Sequence, residues 1–363
     1  MGLTAIKGII LEELVLRLLE MIGYRIIVPG EEGTKDGRAG LEVQGRGEWH
    51  QIDAFAAFDY TPAFMYPLRL LLEAKCYDNS GPIGIEVVRN AVGVLKDISE
   101  NYFTVKTNIF RVDANDTLKM QRFNYQSAIF STSGYTRGAQ RFAIAHQIFL
   151  IQYDRVSLFE PISQSLHRLR KDHFKADVLH RKRAQKETRQ YVRALLKNGE
   201  VTGENPFKAE GSQFFSERIV KPLKSIRGSY FGMLQGKWPI HLLSKKPLSP
   251  DLFVNRDTIK CKIYGRNSSI WSFVPLDCDE DSPNWFRLEF DLPAEVAELV
   301  REAKGDKVEI AQVKREYFSF ISVSGLIGRI RRQVRLELDE EWIDDFIRSA
   351  SMRRPASRSG NED

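Results

Sequence analysis

The sequence predicts an α/β domain over residues 1–160, built on a mixed central sheet flanked by helices, and then a separate β-rich α+β domain over residues 204–348. Three observations predict it. The chain has 363 residues, more than one domain usually holds and enough for two to bury their own cores. Helical and strand periodicities alternate up to about residue 160, the order of elements that an α/β architecture requires. Past Gly199, Gly203, Asn205 and Pro206, which interrupt the pattern, strand-like runs dominate.

The first element is a helix: residues 10–22 (ILEELVLRLLEMI) repeat apolar side chains at helical spacing, and Gly23 is a suitable stop. Residues 24–28 read as a short strand and 30–47 as a Gly-rich polar loop. A strand over 50–58, a Pro-containing turn over 61–67 and a strand over 69–77 follow. After a loop at 78–82, residues 86–98 form an amphipathic helix. Residues 126–132, 136–146 and 148–152 then read strand, helix, strand. Between these, residues 99–123 form an insert whose charges, Asp113 and Asp116 among them, suit a solvated loop.

Residues 161–203 carry eleven Lys and Arg against Asp172, Asp177, Glu187 and Glu200, so this stretch holds the whole excess of a chain whose formal net charge is +6. It lacks Pro after Pro161 and is dense in helix formers, which predicts a basic helical connector between the domains. Arg168, Lys171, Arg181, Lys182 and Arg183 are its candidates for contacting nucleic-acid phosphates; the competing reading is a solvated helix face. In the second domain, residues 229–243, 258–274, 285–291, 307–313, 317–323 and 329–338 read as strands, 293–304 and 342–348 as helices, an α+β or β-barrel-like arrangement, and 349–363 as a disordered tail. Lys260, Lys262 and Tyr264 alternate there in a pattern that suits either a strand face or stacking on bases.

Composition excludes several classes. The chain is 42% hydrophobic and 28% charged, as in globular proteins, and has no apolar run of membrane-spanning length. No membrane partner is expected, and without a signal-peptide pattern the expected location is the cytoplasm. Cys76, Cys261 and Cys278 have neither CxxC nor Cys/His spacing, which argues against disulfides and structural zinc. His167, His173 and His180 miss the i, i+4 spacing of a zinc pair, and there is no Walker A loop.

The informative stretch is LLLEAKCY, residues 70–77. Glu73 and Lys75 are two apart in an apolar strand, so they share one face while Leu72, Ala74 and Cys76 take the other. Buried without partners, such charges would cost several kcal/mol. An edge-strand ion pair is the ordinary explanation. Asp53, in the preceding strand (WHQIDAF), changes it: two neighbouring strands that each present a carboxylate, with a lysine beside them, make an oxygen-lined pocket for a hard divalent cation. Such a cation can polarise a phosphoryl oxygen and generate hydroxide, while the ammonium orients water or offsets phosphate charge. The arrangement suits phosphodiester hydrolysis. His50, three residues before Asp53, is weighed as a base or ligand and read as structural.

Residues 5–160 resemble the PD-(D/E)XK nuclease superfamily, and within it the Mrr-like restriction endonuclease catalytic domain. The likeness rests on the helix ILEELVLRLLEMIGY, in which Glu12 matches the family's helix acid better than Glu13; on RGEWHQIDAF before and around the metal-binding Asp53; on CYDNSGPIGIEVVRNAVGVL after the Lys strand; and on SAIFSTSGYTRGAQRFAIAHQIFLIQYDRVSLF as the closing strand-helix-strand. The chain departs from many Mrr-like members in carrying Glu73 where they have Gln. A polar helix residue of some members could match Glu86, Arg89 or Asn90.

The resemblance implies a restriction-endonuclease-like fold and a Mg²⁺ ion, replaceable by Mn²⁺, held by Asp53, Glu73 and the backbone carbonyl of Ala74, with Lys75 and Glu12 completing the catalytic set. It implies an endonuclease acting on nucleic acid, foremost double-stranded DNA, in restriction or antiviral defence, working as a homodimer or with a partner defence protein. The competing readings are an RNase or DNA repair or junction nuclease with the same site, and a catalytically silent nucleic-acid-binding module.

Overall fold

A computed structural model describes residues 2–37, 40–61, 63–77, 81–106, 117–120, 123–153, 155–179, 184–197, 203–265 and 270–352. The chain forms two compact units, residues 1–229 and 230–363. The boundary expected near residue 203 lies later, because residues 204–229 fold back on the first unit. Phe207 packs against Phe174, Tyr191 and Phe215, and the Lys175 and Lys208 N–H groups donate to the Pro206 and His173 carbonyls.

In the first unit, α1 (Leu3–Ile22) ends at Gly23, whose φ of 110° favours glycine and whose N–H reaches the Leu19 and Glu20 carbonyls. β1 (Arg25–Ile26) follows. The expected Gly-rich loop contains β2 (Thr34–Asp36) and β3 (Leu41–Gln44), which form an antiparallel three-stranded sheet with β4 (Trp49–Gln51). Strand pairing supplies the hydrogen bonds that composition alone made improbable, and Val43 buries itself in the core. The single strand expected at 50–58 is broken at Ile52 and Asp53, and β5 (Ala54–Phe58) starts afresh.

β6 (Leu68–Lys75), α2 (Ile85–Ser99), a hairpin of β7 (Phe103–Lys106) and β8 (Thr117–Met120), β9 (Asn124–Ser131), α3 (Arg137–Ala145) and β10 (Ile148–Gln152) come next. Asp113, Asn115 and Asp116 lie outside the described residues. The main sheet has the order β1-β5-β6-β9-β10. β5 runs antiparallel to both β1 and β6, and β6, β9 and β10 are parallel. The sheet is therefore mixed, as expected. α1 lies against β5 and β6, and α2 and α3 against β9 and β10.

The basic connector is not one helix. It comprises α4 (Glu160–Arg168), two 3₁₀ turns (Lys171–His173 and Ala176–Leu179) and α5 (Ala184–Leu196). α5 packs along α1, so α1 is buried around its whole circumference, Glu12 and Glu13 included. α6 (Ala209–Phe215) runs through a π turn (Ser216–Val220) into α7 (Lys221–Ser225).

The second unit is a closed seven-stranded barrel of order β11-β12-β15-β14-β13-β17-β16. Its strands are β11 (Gly228–Leu234), β12 (Trp238–Ser244), β13 (Thr258–Tyr264), β14 (Trp271–Pro275), β15 (Leu288–Phe290), β16 (Phe320–Ile327) and β17 (Ile330–Leu338). The longer strands expected at 229–243 and 258–274 are each two strands, the first split by a turn at residues 235–237. Residues 307–313 are helical rather than extended: α8 (Ala294–Glu302) is followed by α9 (Lys307–Tyr317), capped by Asp306, which accepts from the Val308 and Glu309 N–H groups. α10 (Glu340–Met352) extends into the expected tail; residues 353–363 lie outside those described. No described helix is long and apolar enough to cross a membrane.

Candidate active site

Leu71 shares an apolar cluster with Ile98 of α2, so alternate residues of β6 point to the α2 side of the sheet. Glu73 and Lys75 follow Leu71 in that phase and project to the same side. The β5–β6 register pairs Ala54 with Leu72, so no β5 residue stands opposite Ala74. The Ala74 N–H donates instead to Asp53 Oδ2 at 3.2 Å, which brings that carboxylate across the strand end to β6. In a strand the N–H and C=O of one residue point to the same side, so the Ala74 carbonyl faces the same open edge.

Lys75 Nζ lies 2.7 Å from Glu73 Oε1 and 3.9 Å from Asp53 Oδ2, and the three side chains are each about a quarter exposed. Burial raises the Glu73 carboxyl above the usual range, against the opposing pull of Lys75. Burial lowers Lys75, but the Glu73 and Asp53 charges outweigh it and its pKa ends raised. The ammonium therefore stays charged through neutral pH.

The donor set fits Mg²⁺. Two carboxylates and a strand-edge carbonyl are hard oxygens, and Mg²⁺ binds through one or two carboxylates while keeping several waters. Among the described residues no group of three or more His, Cys, Asp or Glu gathers as a metal cage, so any cation here would rest on this smaller set. Two carboxylates against one ammonium leave a net negative site, which favours a cation.

Beside it is a small pocket of about 70 Å³, with Gln51, Asp53, Glu73, Asn90 and Ser127 among its walls. Of the three helix residues that could match the family's polar position, Asn90 is the one that faces this pocket. Arg89 lies over the Phe142 ring, and Glu86 sits in the first turn of α2.

Glu12 reaches the site indirectly. Arg189 Nη2 donates to Glu12 Oε2 at 2.5 Å and Arg189 Nη1 to the Asp53 carbonyl at 2.8 Å. Burial pushes the Glu12 carboxyl up to about 8; Arg189 opposes that, and the Asp53 and Glu13 charges add to it. One turn on, Arg193 donates to both oxygens of Glu13 at 2.7 and 2.8 Å.

Arg189 is the site residue that sequence reasoning missed. Its signal was present: Arg189, Arg193 and Lys197 recur every four residues, matching Glu12, Glu13 and Glu20 of α1. Of the expected phosphate contacts, Arg168 and Lys171 are exposed, while Arg181, Lys182 and Arg183 lie outside the described residues. His50 Nε2 lies 2.7 Å from Asp97 Oδ2, and Asp97 also accepts from the Gly47 N–H. That contact ties the β3–β4 turn to α2, a structural role.

No protein-family model matches the chain, and no curated protein matches it. Among solved structures it is similar to a crystal structure described as a protein of unknown function, at 17% identity and a TM-score of 0.27. The match covers 41% of this chain and 60% of that one, and a likeness this slight informs neither fold nor activity.

Proposed function

We propose that the protein is a metal-dependent endonuclease that hydrolyses phosphodiester bonds, with DNA as its substrate. One observation carries the reading. A lysine lies between two carboxylates, Glu73 on β6 and Asp53 in the break before β5, beside an open strand edge. An ordinary surface ion pair needs neither the second carboxylate nor the strand break that delivers it.

Asp53, Glu73 and the Ala74 carbonyl would hold Mg²⁺. When bound, the cation supplies a Lewis acid that polarises a phosphoryl oxygen and acidifies water. The remaining work belongs to the chain. The Lys75 ammonium, beside Glu73 and Asp53, would orient the attacking water and offset charge growing on the phosphate. The Ala74 N–H fixes the rotamer of Asp53, so that carboxylate is aimed before substrate arrives. The resemblance to Mrr-like enzymes supports DNA over RNA and a role in restriction of foreign DNA.

The test is incubation of the purified chain with supercoiled, linear, methylated and single-stranded DNA and with RNA, in Mg²⁺, in Ca²⁺ or in EDTA. Cleavage of DNA in Mg²⁺ alone is expected, with Ca²⁺ supporting binding without cutting. Full activity in EDTA would defeat the metal-dependent reading. Cleavage confined to RNA would replace the substrate, and binding without cleavage under every condition would mark a silent binding module.

A further inference from the structure

Asp53 is held at two points from different elements, and the second hold comes from a helix outside the sheet. The Ala74 N–H takes its carboxylate. The Asp53 carbonyl lies in the break between β4 and β5, outside the β5–β6 ladder, and a carbonyl so placed needs another donor. Arg189 is that donor. Its guanidinium, 19% exposed, spans the Asp53 carbonyl and the Glu12 carboxylate, with Glu13 Oε1 3.8 Å from Nη1. The other members of the α5 stripe do something different: Arg193 and Lys197 pair with Glu13 and Glu20, on α1 alone. Among the described residues of α5, Arg189 alone reaches past α1 to the β4–β5 break that carries the candidate metal ligand. A lysine has one ammonium centre and cannot fork between two acceptors in fixed directions, which is the property this position uses.

We propose that Arg189 is a positioning residue of the site: by fixing the Asp53 peptide against Glu12 it sets the direction in which the Asp53 carboxylate meets a divalent cation, and it makes α5 part of the catalytic apparatus. This rests on the metal-dependent reading above. It deepens that reading by assigning a role to a helix outside the resemblance.

The experiment uses the full chain and compares Arg189→Lys with Arg193→Lys, the same change one turn away at a pair that does not touch Asp53. Mn²⁺ binding is followed through loss of the free-ion paramagnetic resonance signal, together with metal-free thermal melts and the kcat and KM of cleavage. Arg189→Lys should weaken Mn²⁺ binding roughly tenfold or more and lower kcat at little-changed KM. Arg193→Lys should lower the melting temperature and leave Mn²⁺ affinity unchanged. Wild-type Mn²⁺ affinity in Arg189→Lys, or equal losses in both variants, overturns the proposal. Should Arg189→Lys fail to fold, the double variant Glu12→Gln/Arg189→Gln removes both buried charges together; it should still bind Mn²⁺ weakly, and wild-type affinity there overturns the proposal equally. A wild type that binds Mn²⁺ through Asp53 and Glu73 but cuts no nucleic acid would defeat the nuclease reading alone, leaving the positioning role supported by the binding data. A wild type that binds no Mn²⁺ would defeat both.

Discussion

Lys75 stands between two carboxylates, and in the proposed nuclease each of the three groups would have its own task. On that reading Asp53→Ala, Glu73→Ala and Lys75→Ala should each lower single-turnover cleavage by about 10²–10³-fold or more, with nucleic-acid affinity largely retained, because these groups would act on the transition state rather than on uniform binding. Near wild-type cleavage by any well-folded one of them would remove that residue from the site. Glu12 gives a pH prediction. Its carboxyl is raised by burial to about 8, so between the ordinary carboxylate range and pH 8 the folded state holds a proton that the unfolded chain has released. The Glu12 contribution to stability is fully present at pH 4 and is lost as pH rises towards 8. Denaturant melts across that range should show a decline of a few kcal/mol attributable to Glu12, and Glu12→Gln should flatten it. An identical pH profile in the variant would mean that Arg189 holds Glu12 ionised throughout. That Glu73 and Lys75 share a face could be read from the sequence, because charges in an apolar strand are conspicuous wherever they occur; that Asp53 lies beside them in a strand break is decided by the fold. For Arg189 the sequence offered only the four-residue stripe it shares with Arg193 and Lys197; its partners lie 136 and 177 residues away, so the stripe did not show which acids it would meet.

α1 is the element on which the first unit turns. Its sequence repeats apolar residues at helical spacing with Glu12 and Glu13 among them; the sheet covers one side and α5 the other, so both acids are buried and meet Arg189 and Arg193. Without α5 the arginine pairs are lost and the apolar side chains of α1 beside Glu12 and Glu13 open to water, a large part of the stability of a small domain. A fragment of residues 1–160, the span of the family resemblance, should therefore fail to fold cooperatively, whereas residues 1–229 should melt as one unit by circular dichroism. Cooperative folding of the shorter fragment would show that α5 is dispensable to the core. The strand expected at 307–313 failed for a related reason. Val308 and Ile310 alternate with charged residues as on a strand face, but Asp306 caps a helix there, and its buried side is Ile310, Ala311 and Lys314, the last donating to the Ile263 carbonyl of the barrel. A short alternation is compatible with both periods, and packing against the barrel decided between them.

Across the molecule, the net charge of +6 looked available to a polyanion, but much of the basic stretch is already used. Lys186 pairs with Asp36, and Arg189, Arg193 and Lys197 pair with α1. Arg168 and Lys171 remain exposed. Replacing both by Gln should weaken DNA binding and flatten its salt dependence by a slope of roughly 0.9 for each phosphate no longer neutralised, measured by fluorescence anisotropy with Asp53→Ala to prevent cutting. An unchanged slope would move the phosphate-binding surface elsewhere on the chain. The sequence by itself determined what depends on neighbours along the chain: α1, β6, α2, β9, α3 and β10 in their order, the Gly23 stop, the shared face of Glu73 and Lys75, and a second unit rich in strands; the small sheet of β2–β4 and the β7–β8 hairpin it did not show. Only the tertiary structure decided that the unit boundary falls at 229, that the strands of the second unit close into a barrel, and that α5 faces the buried acids of α1 rather than solvent. Backbone periodicity acts over a few residues and leaves its mark in composition. The partner of a charged side chain is chosen by register and packing across the whole unit, which the same arginine-rich stretch could satisfy in several ways until the fold removed the alternatives.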